Sequence, residues 1–374
     1  MGTDAWRNWR AALENPLSNP EKHEEALYSD ARFIGSKLQL GPYTVLPTMA
    51  RDVPMPMALI MRCERHTSLM PELVDYRTNE LLPADDSGYH GGTVSDEIAA
   101  LVSLALGVRC RAGGITRVWG LRSDDPAGEP VEFDRQYLSR PGPPGTEILP
   151  AMNREVRFED ATETLATFPI LQKKAAARLA RAARLYSNAL WWANEDPNFA
   201  WLQLVGAVEA IAAGQKSVSR PPVDVLADFH PNVWEALGDA STGTKEKVAK
   251  ALAQQVGATR KFVDFVESHA PEAPQPRPEY RVDWSTMRQH MTVVYRHRSR
   301  ALHDGKPFPH PMLDTPTNGP DGLPSETPVG MSAAAKGGSW MAQDMPMLLH
   351  TFEYIVRGSI LNWWTRTARK NMTP

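Results

Sequence analysis

The sequence has few cysteines and no long hydrophobic run. Cys63 and Cys110 are the two cysteines in 374 residues, which is too few for a disulfide framework and typical of a reducing compartment. No apolar run approaches the roughly 18 residues that a membrane helix needs, and the first residues show no signal-peptide pattern. We therefore predict a cytoplasmic protein with no membrane partner.

Positive charge and binding-site motifs are also scarce. The formal net charge is -3, so any contact with nucleic acid requires a local basic patch. No glycine pattern of the Walker or Rossmann type occurs. Cys63 and His66, together with His90 and Cys110, lack the second closely spaced pair of a zinc site. The sequence predicts no cofactor and no metal.

The N-terminal part shows the pattern of a mixed fold. Short runs such as Lys37–Leu46, bounded by glycine and proline, predict strands. A serine at Ser95 followed by acids and an apolar run predicts a capped helix. The Pro/Gly-rich segment 139–146 is interpreted as a linker. We predict a smaller mixed α/β domain of unknown role over residues 1–155.

The C-terminal part is predicted to be helical. Apolar periodicity predicts long helices, and shorter ones between them, at residues 173–193, 198–213, 245–255, 260–268, 284–303 and 345–369. A Pro/Gly-rich stretch predicts a long loop at 304–340. The stripe of Arg178, Arg181 and Arg184 is interpreted as a solvated helix face. The fold class is therefore mainly α, with a helical bundle over 156–374.

Cationic and titratable side chains cluster at the end of the 284–303 helix. Within eight residues lie Arg296, His297, Arg298, Arg300 and His303. Gly305 and Pro307 follow as a stop signal. Histidine transfers protons near neutral pH, and arginine donates a fixed fork of N–H groups to phosphate oxygens. Together they can cleave a phosphodiester without a metal.

Each residue of this motif can be given a role. His303 fits a general acid/base, and Arg298 fits the group that stabilises the phosphate. Ser299 could orient the phosphate or the imidazole, and Tyr295 could stack a base. Residues five apart on an unbroken helix point about 140° from each other, so Arg296, which shares a face with His303, is the alternative arginine. The predicted RNA contacts are Arg296, Arg300 and Lys306.

Glu209 is the lone carboxylate in the apolar helix 198–213. Burying it unpaired would be costly. We therefore expect it to meet a cation across the bundle, with Arg298 as the natural candidate. A purely structural salt bridge is the alternative interpretation.

The motif Tyr295-x-x-Arg298-Ser299-x-x-x-His303-x-Gly305 resembles the Tyr-x-x-Arg-Ser-x-x-x-His-Gly signature of the HEPN superfamily, in particular the Apea-like HEPN domains of bacterial defence and abortive-infection proteins. The helix with Glu209 is similar to the second helix of that family. The resemblance covers about residues 165–370, and the chain departs from it by inserting Asp304 before Gly305.

The resemblance implies a HEPN-like helical bundle. It also implies a metal-independent endoribonuclease with an anti-phage or toxin-like role, in which Arg298 and His303 of two subunits line one cleft of a homodimer. Two alternatives stay open. The cations can simply decorate a helix C-terminus, where the dipole favours them. The bundle can also be a non-catalytic dimerisation or nucleotide- or RNA-binding module.

Overall fold

A computed structural model describes residues 2–48, 59–67, 74–75, 77–120, 125–132, 146–150, 152–215, 220–229, 231–252 and 257–372. The chain forms two compact units, Met1–Gln203 with Ile360–Pro374 and Leu204–Ser359. These units divide at 203/204, whereas the sequence predicts a domain boundary at 155/156. The described residues contain eleven α-helices, so the prediction of a mainly α fold is confirmed. Most of the predicted linker lies outside the described residues.

The first unit combines helices with short strands. Its helices are α1 (Asp4–Glu14), α2 (Val94–Leu106), α3 (Glu159–Ala166) and α4 (Lys173–Trp192). Its strands are β1 (Glu21–Tyr28), β2 (Arg32–Ile34), β3 (Leu38–Leu40), β4 (Tyr43–Pro47), β5 (Leu59–Arg65), β6 (Val74–Asp75), β7 (Glu80–Leu81), β8 (Arg111–Val118), β9 (Glu129–Pro130) and β10 (Glu155–Arg157). It also includes the start of α5 (Pro197–Ala212) and the end of α11 (Leu349–Met372).

A six-stranded sheet in the order β3-β4-β5-β1-β8-β9 is the centre of this unit. The inner strand β1 pairs antiparallel with β5 and β8, although its sequence is highly charged. Glu24 accepts a hydrogen bond from Arg62 Nε at 2.6 Å, which neutralises its charge across the strands. Tyr28 packs so closely on Gly113 that a Cβ there would lie 2.2 Å from the ring.

Helix α2 is capped two residues earlier than the sequence predicts. Thr93 is the N-cap, and its side chain and that of Asp96 form a reciprocal capping box. Ser95, the predicted cap, is fully buried inside the first turn. Gly107 ends the helix in a left-handed conformation with φ 65°. The helix was therefore predicted correctly, but its capping residue was wrong.

The second unit contains the remaining helices and one hairpin. After the end of α5 come α6 (Pro222–Phe229), α7 (Pro231–Leu237), α8 (Thr242–Leu252), α9 (Gly257–His269), α10 (Met287–His303), β11 (Ser332–Ala335), β12 (Gly338–Met341) and the start of α11. Helices α6 and α7 lie between the predicted helices 198–213 and 245–255. No helix in the described part of the chain is long and apolar enough to cross a membrane.

The segment 304–340, predicted as a long loop, contains secondary structure. A 3₁₀ turn spans His310–Leu313, and β11 and β12 pair as an antiparallel hairpin. Buried Glu326 lies in the middle: its carboxylate accepts hydrogen bonds from Arg277 Nη2 at 2.5 Å and from the Val282 amide at 2.8 Å. The Leu348 amide donates to the Glu326 carbonyl at 2.9 Å. The hydrogen bonds of Glu326 thus hold the middle of the segment in place.

Candidate functional site

Helix α10 has an inner and an outer face. Met287, Met291 and Val294 form a buried stripe with spacings of three and four. Tyr295 and Arg298 continue this stripe, whereas Arg296, Arg300 and His303 lie on the outer face by the same periodicity. Phe262 of α9 packs on Tyr295, with ring centroids 5.2 Å apart. The packing of α10 therefore determines which motif residues point inward.

Glu209, Tyr295 and Arg298 form a hydrogen-bonded cluster. The Tyr295 hydroxyl donates to Glu209 Oε1 at 2.7 Å, and Arg298 Nη2 donates to Glu209 Oε2 at 2.7 Å. The side chains of Arg298 and Glu209 are 22% and 25% exposed. The predicted pairing of Glu209 with Arg298 is thus confirmed, and the cluster also includes the tyrosine of the motif.

The cluster fixes the chemical state of its tyrosine and the position of its arginine. Burial, and then the Glu209 carboxylate, raises the pKa of Tyr295, so the phenol remains a donor. The Arg298 guanidinium carbon lies 5.3 Å from the centroid of the Tyr295 ring. Nε and Nη1 of Arg298 make no hydrogen bond to any residue that the structure describes. These two nitrogens remain available for an anion.

His303 lies in a different environment. It is the last residue of α10, and it is exposed and without a hydrogen-bond or ion-pair partner among the described residues. Because the helix is continuous from Arg298 to His303, these residues point about 140° apart. Arg296, the alternative arginine, pairs with Asp344 at 3.2 Å. A single helix face therefore does not bring Arg298 and His303 together.

His297 belongs to the packing and not to the basic surface. It is 4% exposed, and its Nε2 lies 2.8 Å from the carbonyl oxygen of Asp344. Burial lowers the pKa of His297 to about 4, and the neighbouring charges of Arg296 and Arg300 contribute. The ring is therefore neutral at pH 7 and donates to this carbonyl. The sequence could have indicated this burial, because His297 follows the buried Val294 by three residues on the same helix.

The C-terminal end of α10 accommodates the extra residue of the motif. The amides of Asp304 and Lys306 donate to the Arg300 carbonyl at 2.9 and 3.2 Å. Asp304 keeps a negative φ of -106°, and Gly305 takes the left-handed conformation with φ 64°. The Ser299 hydroxyl makes no hydrogen bond within the described part of the chain. Arg300 and Lys306 likewise form no ion pair there, so both remain available for an anion.

The other candidate groups have structural contacts. Arg181 Nε donates to the Tyr89 carbonyl at 2.7 Å, and Arg184 Nη1 donates to the His90 carbonyl at 2.6 Å. These two arginines of the predicted solvated stripe are partly exposed, and they also hold the backbone at residues 89 and 90. Burial raises the pKa of Cys63 and of Cys110 to about 12. Within the described ranges, no group of three or more His, Cys, Asp or Glu could hold a metal ion.

Comparison with known proteins adds no relative. No family model, curated protein or solved structure matches the chain.

Proposed function

We propose that this protein is a metal-independent endoribonuclease of the HEPN type with an anti-phage or toxin-like role. The observation that carries the proposal is the fixed guanidinium of Arg298, held by Glu209 and Tyr295, near the helix end that presents an exposed His303. Tyr295 and Arg298 of the motif thus form one hydrogen-bonded unit with Glu209. The free N–H groups of Arg298 suit the developing charge of a phosphorane.

The reaction transfers an RNA phosphate from one hydroxyl to another. The 2′-oxygen attacks phosphorus, the bond from phosphorus to the 5′-oxygen breaks, and a 2′,3′-cyclic phosphate forms. One group removes the proton of the 2′-hydroxyl and another protonates the leaving 5′-oxygen. His303 acts in proton transfer, and Arg298 donates to the equatorial oxygens. Arg296, Arg300 and Lys306 contact neighbouring phosphates.

Two copies of the chain complete the site in this proposal. The angular separation of Arg298 from His303 requires that the cleft combine Arg298 of one copy with the histidine of another. Leu302 lies on the helix face of Arg298 and is 52% exposed, which suits a surface that a second copy covers. Size-exclusion chromatography with light scattering tests this. Wild type should be a dimer and Leu302→Glu a monomer, and a monomeric wild type would contradict the shared cleft.

Cleavage in EDTA tests the enzymatic proposal. Purified wild type should cut single-stranded RNA and leave 2′,3′-cyclic phosphate ends, whereas His303→Ala and Arg298→Ala should not. Lys247→Ala, an exposed substitution on α8, is the matched control and should keep full activity. Undiminished cleavage by purified His303→Ala would exclude His303 as the acid/base.

One observation favours a second function. Arg298 is already paired with Glu209, and the single helix does not place His303 beside it. This arrangement also suits a dimerisation or RNA-binding module without catalysis. Binding of RNA that is strongly weakened by salt, with no cleavage by wild type in EDTA or with Mg²⁺, would support this function over the nuclease.

A further inference from the structure

A cavity lies beside the end of α10. It has a volume of about 600 Å³ and is lined on one side by the residues that follow the helix, from Lys306 to Leu313, and on the other by the β11–β12 hairpin. Strand β11 packs against the 3₁₀ turn at His310–Leu313. This volume is in the range of pockets that hold small organic ligands. Lys306, the first lining residue, follows His303 by three positions.

The cavity lining combines positive charge with an aromatic ring. Lys306, Lys336 and Trp340 line it, together with Phe308 and His310. None of the described lining residues is acidic, although His310 pairs with Asp314 at 3.3 Å. Neither lysine has an ion-pair partner, and the Trp340 indole has no hydrogen bond, within the described residues. A ligand with an anionic group and a flat ring would complement these side chains.

The hairpin holds two of these side chains in place. Lys336 and Gly337 form its two-residue turn, with φ values of 47° and 81°. Positive φ at both positions is the type I′ pattern that matches strand twist, and it costs energy at a lysine. The Trp340 ring lies against Gly338, where a Cβ would come within 2.5 Å of it. Gly338 therefore permits the position of the indole.

We propose that this cavity binds one nucleotide of a single-stranded RNA. The base stacks on Trp340, and the phosphate lies between Lys306 and Lys336. This inference rests on the proposed function, because it makes the cavity a substrate subsite next to His303. Stacking on an aromatic ring tolerates any base, so the subsite favours unpaired RNA without selecting a sequence.

A binding assay tests the subsite separately from cleavage. Full-length His303→Ala protein is titrated into a fluorescein-labelled ten-nucleotide oligouridylate, and anisotropy gives the dissociation constant. Adding Trp340→Ala should weaken binding by about 10-fold, the loss expected for one stacked base. The matched control Trp192→Ala, an exposed tryptophan in the first unit, should leave binding unchanged. Unchanged binding by Trp340→Ala overturns the proposal.

A second variant removes charge without touching the ring. Lys336→Gln at the turn should make the negative slope of log K against log salt shallower by about 0.7, as expected for one lost phosphate contact to a single strand. Lys247→Gln should not change the slope. A slope unchanged by Lys336→Gln would overturn the phosphate contact even if Trp340→Ala failed to fold.

The source of the nucleotide is tested with uridine monophosphate. Calorimetric binding of this nucleotide that depends on Trp340, without oligouridylate binding, would overturn the RNA strand as ligand and assign a free nucleotide. If wild type binds oligouridylate through Trp340 but never cuts RNA, the subsite stands and the nuclease fails. If His303→Ala abolishes cleavage and Trp340→Ala changes neither binding nor KM, the nuclease stands and the subsite fails.

Discussion

The inner and outer faces of α10 both carry cationic or titratable side chains, but in different environments. On the inner face, Arg298 is held by Glu209 and Tyr295 at hydrogen-bond distance. On the outer face, His303 is exposed at the last helical position. A cation that is held loses little conformational entropy when it meets an anion. The inner face therefore suits a fixed electrostatic role, and the outer face suits a group that the substrate or a second copy must engage.

Replacing the exposed histidine should have the largest effect. His303→Ala should lower kcat for RNA cleavage by about 10²–10⁴-fold, because it removes proton transfer. The free energy of unfolding should change by less than about 0.5 kcal/mol, since an exposed side chain is removed. Single-turnover cleavage and urea denaturation measure the two quantities. A large loss of stability would show that His303 contributes to the fold, as the inner-face residues do.

Breaking the inner cluster should cost stability. Glu209→Ala leaves the guanidinium of Arg298 and the hydroxyl of Tyr295 without their acceptor. We expect a loss of about 2–3 kcal/mol in the free energy of unfolding, because both groups are largely desolvated. Urea denaturation measures it. Glu246→Ala, at an exposed position of α8, is the matched control, and an equal loss in both variants would show that the cluster is not fixed.

His297 predicts a pH dependence of stability. Its pKa is about 4 in the folded state and near 6.5 when unfolded. The unfolded chain therefore binds more protons in this window, and stability falls as pH decreases through it. Between pH 7 and pH 5 the titration of this group should lower the free energy of unfolding of the wild type by about 2 kcal/mol. His297→Gln can still donate to Asp344, and its thermal unfolding should depend less on pH; an identical dependence would contradict the assignment.

The smallest effect is expected for the phenol of the cluster. Tyr295→Phe removes one hydrogen bond and leaves Glu209 paired with Arg298, so stability should fall by about 1 kcal/mol. Tyr280→Phe, whose hydroxyl has no hydrogen bond among the described residues, should change nothing. Urea denaturation compares the two variants. If Tyr295→Phe lowered the free energy of unfolding as much as Glu209→Ala does, the tyrosine hydrogen bond, and not the ion pair, would be the main stabilising contact of the cluster.

Local patterns predicted the helical parts of the fold and one contact of the site. Helices α4, α5 and α10 are long and periodic, so their side-chain pattern alone indicates them. Glu209 could be paired from sequence because a carboxylate in an apolar helix needs a cation. Both inferences depend on residues within one helix or on the cost of one buried charge.

Features that depend on distant partners could not be predicted in the same way. The sequence of strand β1 is highly charged, which does not indicate an inner strand. Its place in the sheet depends on Arg62 of β5, which neutralises Glu24. His297 is neutral because it is buried, and the carbonyl oxygen that accepts its hydrogen bond belongs to Asp344, 47 residues later. The hairpin that carries Trp340 lies in a stretch whose glycine content predicts a loop, and its turn places a lysine at positive φ, which the usual turn dipeptides do not indicate.

Glu326 has a consequence for how the segment after α10 opens. Its carboxylate and carbonyl tie the middle of the segment to Arg277 and Leu348. The entropy of closing a loop grows with its length, so one tie at the centre replaces a long closure with two shorter ones. The hairpin can then open locally without releasing the part of the segment before Glu326.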